Sequence, residues 1–242
     1  MSLFKNLTHS KDIAETKDTL GGGSFVKESG VYDGVIKMAF ATTAASGAMA
    51  VELHIDLEDG TLYRETIYVT NRNGENFYKD KKTGAPRYLP NFVTVDELCA
   101  ITTSEYLAAQ ETEPKTFKLY DKEAKTEINK EVPTLTALSK KKVKLGIIKK
   151  IENKQTLNES TGKWVDTNET RESNEINKVF SEDGFTLNEL LAKADEPEFI
   201  TDWITKNEGY TRDTSKVVGG PSTAKPGVGK PTAKMFPTAK AK

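Results

Sequence analysis

With 35 basic against 36 acidic residues among 242, and only 36% hydrophobic side chains, the chain can bury a sizeable core, yet an appreciable part of it is expected to pack nothing. Its single cysteine, Cys99, excludes an internal disulfide and any multi-thiolate metal site, which fits a reducing compartment. No apolar run approaches the ~20 residues of a spanning helix, and residues 1–20 lack the continuous apolar core of a signal peptide, so a soluble, cytoplasmic protein is expected.

Residues 1–24 mix Leu3, Phe4, Leu7 and Ile13 with charges and read as an N-terminal arm that ends in Gly21-Gly22-Gly23-Ser24. A phosphate loop would close on Gly-Lys-Ser/Thr and open a helix. Phe25-Val26 follows here instead, so the glycines read as a hinge or turn. From Gly30 the period becomes two: Tyr32, Gly34, Ile36, Met38 and Phe40 fall on one face of a first strand. After TTAASG, the residues Met49, Val51, Leu53, Ile55 and Leu57 alternate with Ala50, Glu52, His54 and Asp56 in a second strand. Asp59-Gly60 supplies a tight hairpin, and residues 61–70 return as the third strand. His54 is expected to be exposed between Glu52 and Asp56, and the acids Asp56, Glu58 and Asp59 are explained by turn chemistry.

Residues 63–92, YRETIYVTNRNGENFYKDKKTGAPRYLPNF, concentrate two chemistries. Tyr63, Tyr68, Phe77, Tyr78, Tyr88 and Phe92 are interleaved with Arg64, Arg72, Lys79, Lys81, Lys82 and Arg87. Flat rings beside mobile cations suit unpaired nucleic acid, because bases stack on the rings while the cations follow the phosphates. Each residue also has a plainer reading, since rings at a strand end pack into cores and loop lysines are simply solvated. It is the density of both kinds that points to binding.

Thr94-Val95-Asp96-Glu97 has the form of a capping box, which predicts a short helix with Val95, Leu98, Cys99 and Ile101 on its apolar side. Cys99 there reads as a buried thiol rather than a nucleophile. Residues 116–121 again read as a strand, and 138–151 as another, with Lys142 and Lys144 alternating with Val143 and Leu145. That strand is either an edge guarded by lysines or a phosphate-facing surface. Residues 152–178 are polar and predict a long hairpin loop or an insertion. Thr186-Leu187-Asn188-Glu189 is a second capping box, and Pro197 opens a helix to about Asn207. Residues 216–242 hold six lysines and no acid, so 1–215 carries 29 basic and 36 acidic residues, −7 against +6 for the tail. A tail of this sign suits phosphates, an acidic partner or the chain's own body, and its Pro, Gly, Ala and Lys predict disorder.

Three strands, a capped helix and two further strands follow the order of an OB-fold, a five-stranded Greek-key barrel whose middle strands and loops bind oligonucleotides. The expected organisation is an arm over 1–24, an OB-fold-like barrel over 25–151, a polar insertion with C-terminal helices over 152–215 and the basic tail over 216–242. The run GGGSFVKESGVYDGVIKMAF, the segment YRETIYVTNRNGENFYKDKKTG, the TVDELC helix and the low-complexity C-terminal end resemble small single-stranded DNA-binding proteins of tailed bacteriophages, over most of residues 20–215. The resemblance implies a replication and recombination protein in the host cytoplasm. Such a protein coats unpaired DNA without strong sequence preference, protects it and melts hairpins. Phage replication proteins and self-association along the DNA are its implied partners. Arg64, Tyr68, Arg72, Phe77, Tyr78, Lys79, Lys81 and Lys82 fall in the family-like segment, and Arg87, Tyr88, Lys142 and Lys144 join them on charge and ring content. Many such proteins end in an acidic tail that recruits partners, whereas this chain ends in lysines around Met235-Phe236-Pro237.

Binding rather than turnover is expected, with no cofactor and no metal. His9 and His54 sit near no ligand pattern, and the chain has no nucleophile elbow, nucleotide fingerprint or zinc spacing. Two rival readings use the same residues: a protein-interaction module tethered by the basic tail, and a metal-dependent nuclease built on Asp56 and Glu58.

Overall fold

The computed structural model describes residues 26–121 and 124–218. The expected arm with its glycine hinge, and residues 219–242 of the tail, lie outside them. The chain is mainly β with short helices, and it divides into two units. The first comprises residues up to 150 together with 173–212. The second comprises 151–172 and the residues from 213 onward.

In the first unit, β1 (Gly30–Thr43), β2 (Met49–Leu57) and β3 (Leu62–Tyr68) form an antiparallel meander. Alternation sets the buried side: Val51, Leu53, Ile55 and Leu57 of β2 pack with Tyr63 and Ile67 of β3. β1 departs from its expected face. A register shift between Ile36 and Met38 leaves Lys37 without an opposite residue on β2, so Ala39 rather than Met38 rejoins Ile36 in the core. Phe40 is thereby turned to the other side of the sheet, where its ring lies 5.9 Å from His54 and 6.4 Å from Phe117. His54, expected to be exposed, is therefore buried, with Nε2 2.8 Å from Glu52 Oε1.

β1 also changes partner along its length. Residues 30–35 pair with β8 (Lys142–Asn158), the Ile36 backbone bonds Lys140 and Lys141, and Phe40 pairs with Thr134 of β7 (Thr126–Thr134). β6 (Glu113–Asp121) pairs along β7, and β9 (Lys163–Phe180) pairs with β8. The strand path runs β10, β8, β1, β2, β3, where β10 is Thr211–Asp213, and the sheet does not close into a ring among the described residues. β8 is therefore no edge strand. A separate two-stranded hairpin joins β4 (Phe77–Lys79) to β5 (Pro86–Tyr88).

The helix α1 (Pro90–Thr103) begins four residues earlier than its capping-box signal, and Leu89 caps it without a side-chain bond. Pro90 decides the start, because its fixed φ suits the first helical turn and its predecessor is held extended. The Thr94 hydroxyl instead donates to Pro90 O at 3.2 Å. Val95, Leu98 and Cys99 are buried as expected. At α2 (Leu187–Ala192) the second capping box is realised, with Thr186 accepting from Glu189 N and the Glu189 carboxylate accepting from Thr186 N. α3 (Phe199–Asn207) buries Trp203 against Ile148 and Phe180.

Residues 152–178, expected as a loop or insertion, are mostly the two long strands β8 and β9. Their polar side chains pair across the ladder in place of apolar contacts: Gln155 with Asp166, Lys154 with Glu169 and Arg171 with Glu152. Within this second unit the Asn153 side chain donates to the carbonyls of Thr167 and Lys216 and accepts from Lys216 N.

Gly146 on β8 leaves room for the indole of Trp203. A Cβ there would lie 2.8 Å from Trp203 Cζ2. Gly146→Ala is expected to lower stability by about 1–3 kcal/mol, read as a reduced denaturant midpoint with an unchanged slope. An unchanged midpoint would contradict this packing.

Candidate nucleic-acid interface

The β4–β5 hairpin is built around one carboxylate. Asp80 Oδ1 accepts from Lys82 N at 2.9 Å and Thr83 N at 3.0 Å, and Gly84 closes the turn at φ 70°. Those amide bonds hold the Asp80 carboxyl below the usual range, and Arg87 Nε lies 3.1 Å from its other oxygen. The turn thereby thrusts Lys81 and Lys82 into solvent. Pairing of Phe77 with Tyr88, Tyr78 with Arg87 and Lys79 with Pro86 then fixes the faces of the hairpin. Phe77 and Tyr88 share one face, and Tyr78 and Arg87 the other. Tyr88 leans on Phe92 of α1, ring centroids 5.3 Å apart.

The six rings of the central stretch divide. Tyr63 is core, Phe77 and Phe92 are half-buried, and Tyr68, Tyr78 and Tyr88 keep 46%, 44% and 63% of their surface exposed. Tyr78, Arg87 and Tyr88 line a groove of about 840 Å³ whose other walls are the start of α1, residues 175–178 of β9, and Arg212. The carboxylates of that wall are held by cations: Glu97 by Lys178 at 2.7 Å, and Glu175 by Lys150 at 3.0 Å and by Arg212. The indole N–H of Trp203 fixes the Asn177 side chain at 3.0 Å.

Other expected residues lie elsewhere. Arg64 and Tyr68 project from the sheet face that also carries His54 and Glu52, opposite the face covered by α1. Arg72 is exposed on the turn that the Asn71 side chain organises. Lys142 pairs with Glu182 at 2.5 Å and Lys144 with Asp33. Lys142 lines a cleft with Asp33, Asp56, Glu58 and Glu182, and Lys144 reaches that Asp33, so both neutralise protein carboxylates rather than extend the hairpin's basic surface. Arg64, Arg72, Lys79, Lys81 and Lys82 form no ion pair among the described residues.

Burial pushes the Cys99 thiol up to about 12. Asp56 is paired with Lys37 at 3.5 Å and Asp59 with Lys27, and no group of three ligating side chains is gathered among the described residues. Sequence reading missed Glu97, Glu175, Asn177, Lys178 and Arg212 as groove residues. Of the buried residues Ile176, Val179 and Phe180 of β9, only the first lies within the polar segment 152–178, and their spacing is not the alternation of a strand. Tyr120 and Trp164, outside the expected set, are also exposed, at 59% and 65%. The chain matches no protein-family model and no curated protein.

Beneath the groove wall lies Glu65 of β3. Its Oε2 accepts from Tyr63 Oη at 2.7 Å and from Ile176 N of β9 at 2.8 Å. Burial pushes this carboxyl from the usual 4.5 up to about 7, Glu175 adding to the effect while the two hydrogen bonds and Lys150 offset part of it. The native state therefore holds a proton that the unfolded chain has already lost between those values. Stability contributed by Glu65 is present below the lower value and is lost as pH rises through the upper one. Relative to Glu65→Gln, the wild-type melting temperature is expected to fall between about pH 5 and about pH 8. Parallel melting curves for the two proteins over that range would contradict this assignment.

Proposed function

We propose that this protein binds single-stranded DNA without strong sequence preference and coats it, using a barrel of OB-fold type as the scaffold. One observation carries the reading: Tyr78 and Tyr88, both substantially exposed, flank Arg87 at a groove of about 840 Å³, with Lys79, Lys81 and Lys82, which form no ion pair among the described residues, on the same hairpin. The meander β1–β2–β3 followed by α1 and further strands is consistent with an OB-fold-like order, whose middle strands and loops are its binding side. The resemblance of residues 20–215 to phage single-stranded DNA-binding proteins points the same way.

A stacked base contributes roughly 1–3 kcal/mol, so two tyrosines and several phosphate contacts give a useful affinity. The body's net negative charge does not prevent this, since charges beyond ~8 Å are largely screened at physiological salt. The groove carboxylates are already ion-paired, which limits their repulsion of phosphate. Arg64 and Tyr68 lie on the sheet face opposite α1 and do not line this groove.

Titration of labelled oligo-dT at several salt concentrations tests the proposal. Log affinity is expected to fall with log salt by about 0.7 per phosphate neutralised. Tyr78→Ala with Tyr88→Ala should weaken binding by about tenfold or more at every salt concentration. Lys81→Ala with Lys82→Ala should instead flatten the slope. Absence of binding at low salt, or a double tyrosine variant that binds like wild type, would overturn it.

A further inference from the structure

The helices α2 and α3 carry apolar side chains that stay exposed among the described residues. Leu187, Leu190 and Leu191 stand at positions i, i+3 and i+4 of α2, so they share one side of the helix. None of the helix's residues is buried: Leu190 keeps 40% and Leu191 64% of its surface exposed. Phe199, the first residue of α3, is 44% exposed. Glu189 locks the two helices together, since its carboxylate accepts from Thr186 N at 2.7 Å and from Phe199 N at 2.8 Å. The two helices are therefore fixed to one another, so the exposure of the stripe and of the ring is not the result of a loose element.

The segment that carries them is acidic, with Lys142 paired to Glu182 and Lys178 lying 5.8 Å from the Phe199 ring centroid. Residues 182–208 carry eight acids (Glu182, Asp183, Glu189, Asp195, Glu196, Glu198, Asp202, Glu208) against Lys193 and Lys206, a net −6. The chain itself contains the complement. Residues 219–242 carry five lysines and no acid, with Met235-Phe236-Pro237 among them. An apolar stripe in an acidic field selects a segment with apolar anchors and a basic background, and those 24 residues have both.

We propose that the α2–α3 face of one copy receives the lysine-rich segment 219–242 of a second copy, with Met235 and Phe236 meeting Leu190, Leu191 and Phe199 and the lysines meeting the surrounding carboxylates. Face and segment are different parts of one chain, so the contact is heterologous and can repeat from copy to copy. The choice of a second copy over the same chain rests on the coating role, which requires neighbours in a row. The test is run without DNA, so its failure leaves the DNA-binding reading intact.

Sedimentation equilibrium of the full chain at low salt is expected to show concentration-dependent association that weakens as salt is raised. Two full-length variants should each self-associate about tenfold more weakly: Leu191→Glu, at an exposed position that folding tolerates, and a tail variant combining Lys225→Glu, Lys230→Glu and Lys234→Glu. An equimolar mixture of the two is the decisive sample. The first still has an intact tail and the second an intact face, so a heterodimer should form. No association of the wild-type chain, or no heterodimer in the mixture, would overturn the proposal, the former including the case in which the tail docks on its own chain.

Discussion

A single carboxylate stands where a strand ladder would otherwise be. β3 ends the path of the main sheet, and the side chain of Glu65 reaches from it to the backbone amide of Ile176 on β9. That one bond, shared with the Tyr63 hydroxyl, ties the end of the meander to the strand whose residues 175–178 form a wall of the groove. The position is a tense one. Burial disfavours the carboxylate, yet the two donors favour it, which leaves the group near neutrality in its titration. Tyr63, the residue that opens the aromatic-rich stretch, is therefore spent on the core and on orienting Glu65 rather than on any ligand.

The rest of the candidate interface follows from how β3 hands the chain to α1. Between them the chain makes the small β4–β5 hairpin, anchored at one end through Tyr88 on Phe92 and shaped at the other by Asp80. Because strand side chains alternate, a two-stranded hairpin cannot present all its rings to one side. Tyr78 and Arg87 take one face, Phe77 and Tyr88 the other, and only the tip lysines are free of that constraint. The groove is the place where Tyr78, Arg87 and Tyr88 meet a polar wall whose acids have already been neutralised by Lys150, Lys178 and Arg212. The counter-example is Lys142 and Lys144, equally basic in sequence but paired with Glu182 and Asp33 across the sheet.

Local patterns were legible wherever the chemistry was local. The bounds of β2, the Asp59-Gly60 turn, the Thr186 capping box and the buried Cys99 all follow from residues within a few positions of one another. What could not be read depended on distant partners. The bulge at Lys37, which carries Phe40 over to His54 and buries the histidine, is set by pairing with β2 and β7. The start of α1 moved to Pro90 because proline geometry outweighs a capping box four residues on. The polar run after Asn153 looked like a loop because its strands are stabilised by paired polar side chains instead of apolar alternation. For the interface, composition located the hairpin, whereas the opposing wall from β9 and Arg212 lies about a hundred residues further along the chain and no nearby signal announced it.

The central claim is that nucleobases stack on the exposed tyrosines of the β4–β5 hairpin. Photo-cross-linking of the full chain to an oligonucleotide carrying 5-iododeoxyuridine, followed by mass-spectrometric mapping of the modified peptides, addresses it most directly. The account predicts adducts at Tyr78 and Tyr88. Adducts confined to Tyr68, Tyr120 or Trp164, with none on the hairpin, would contradict it.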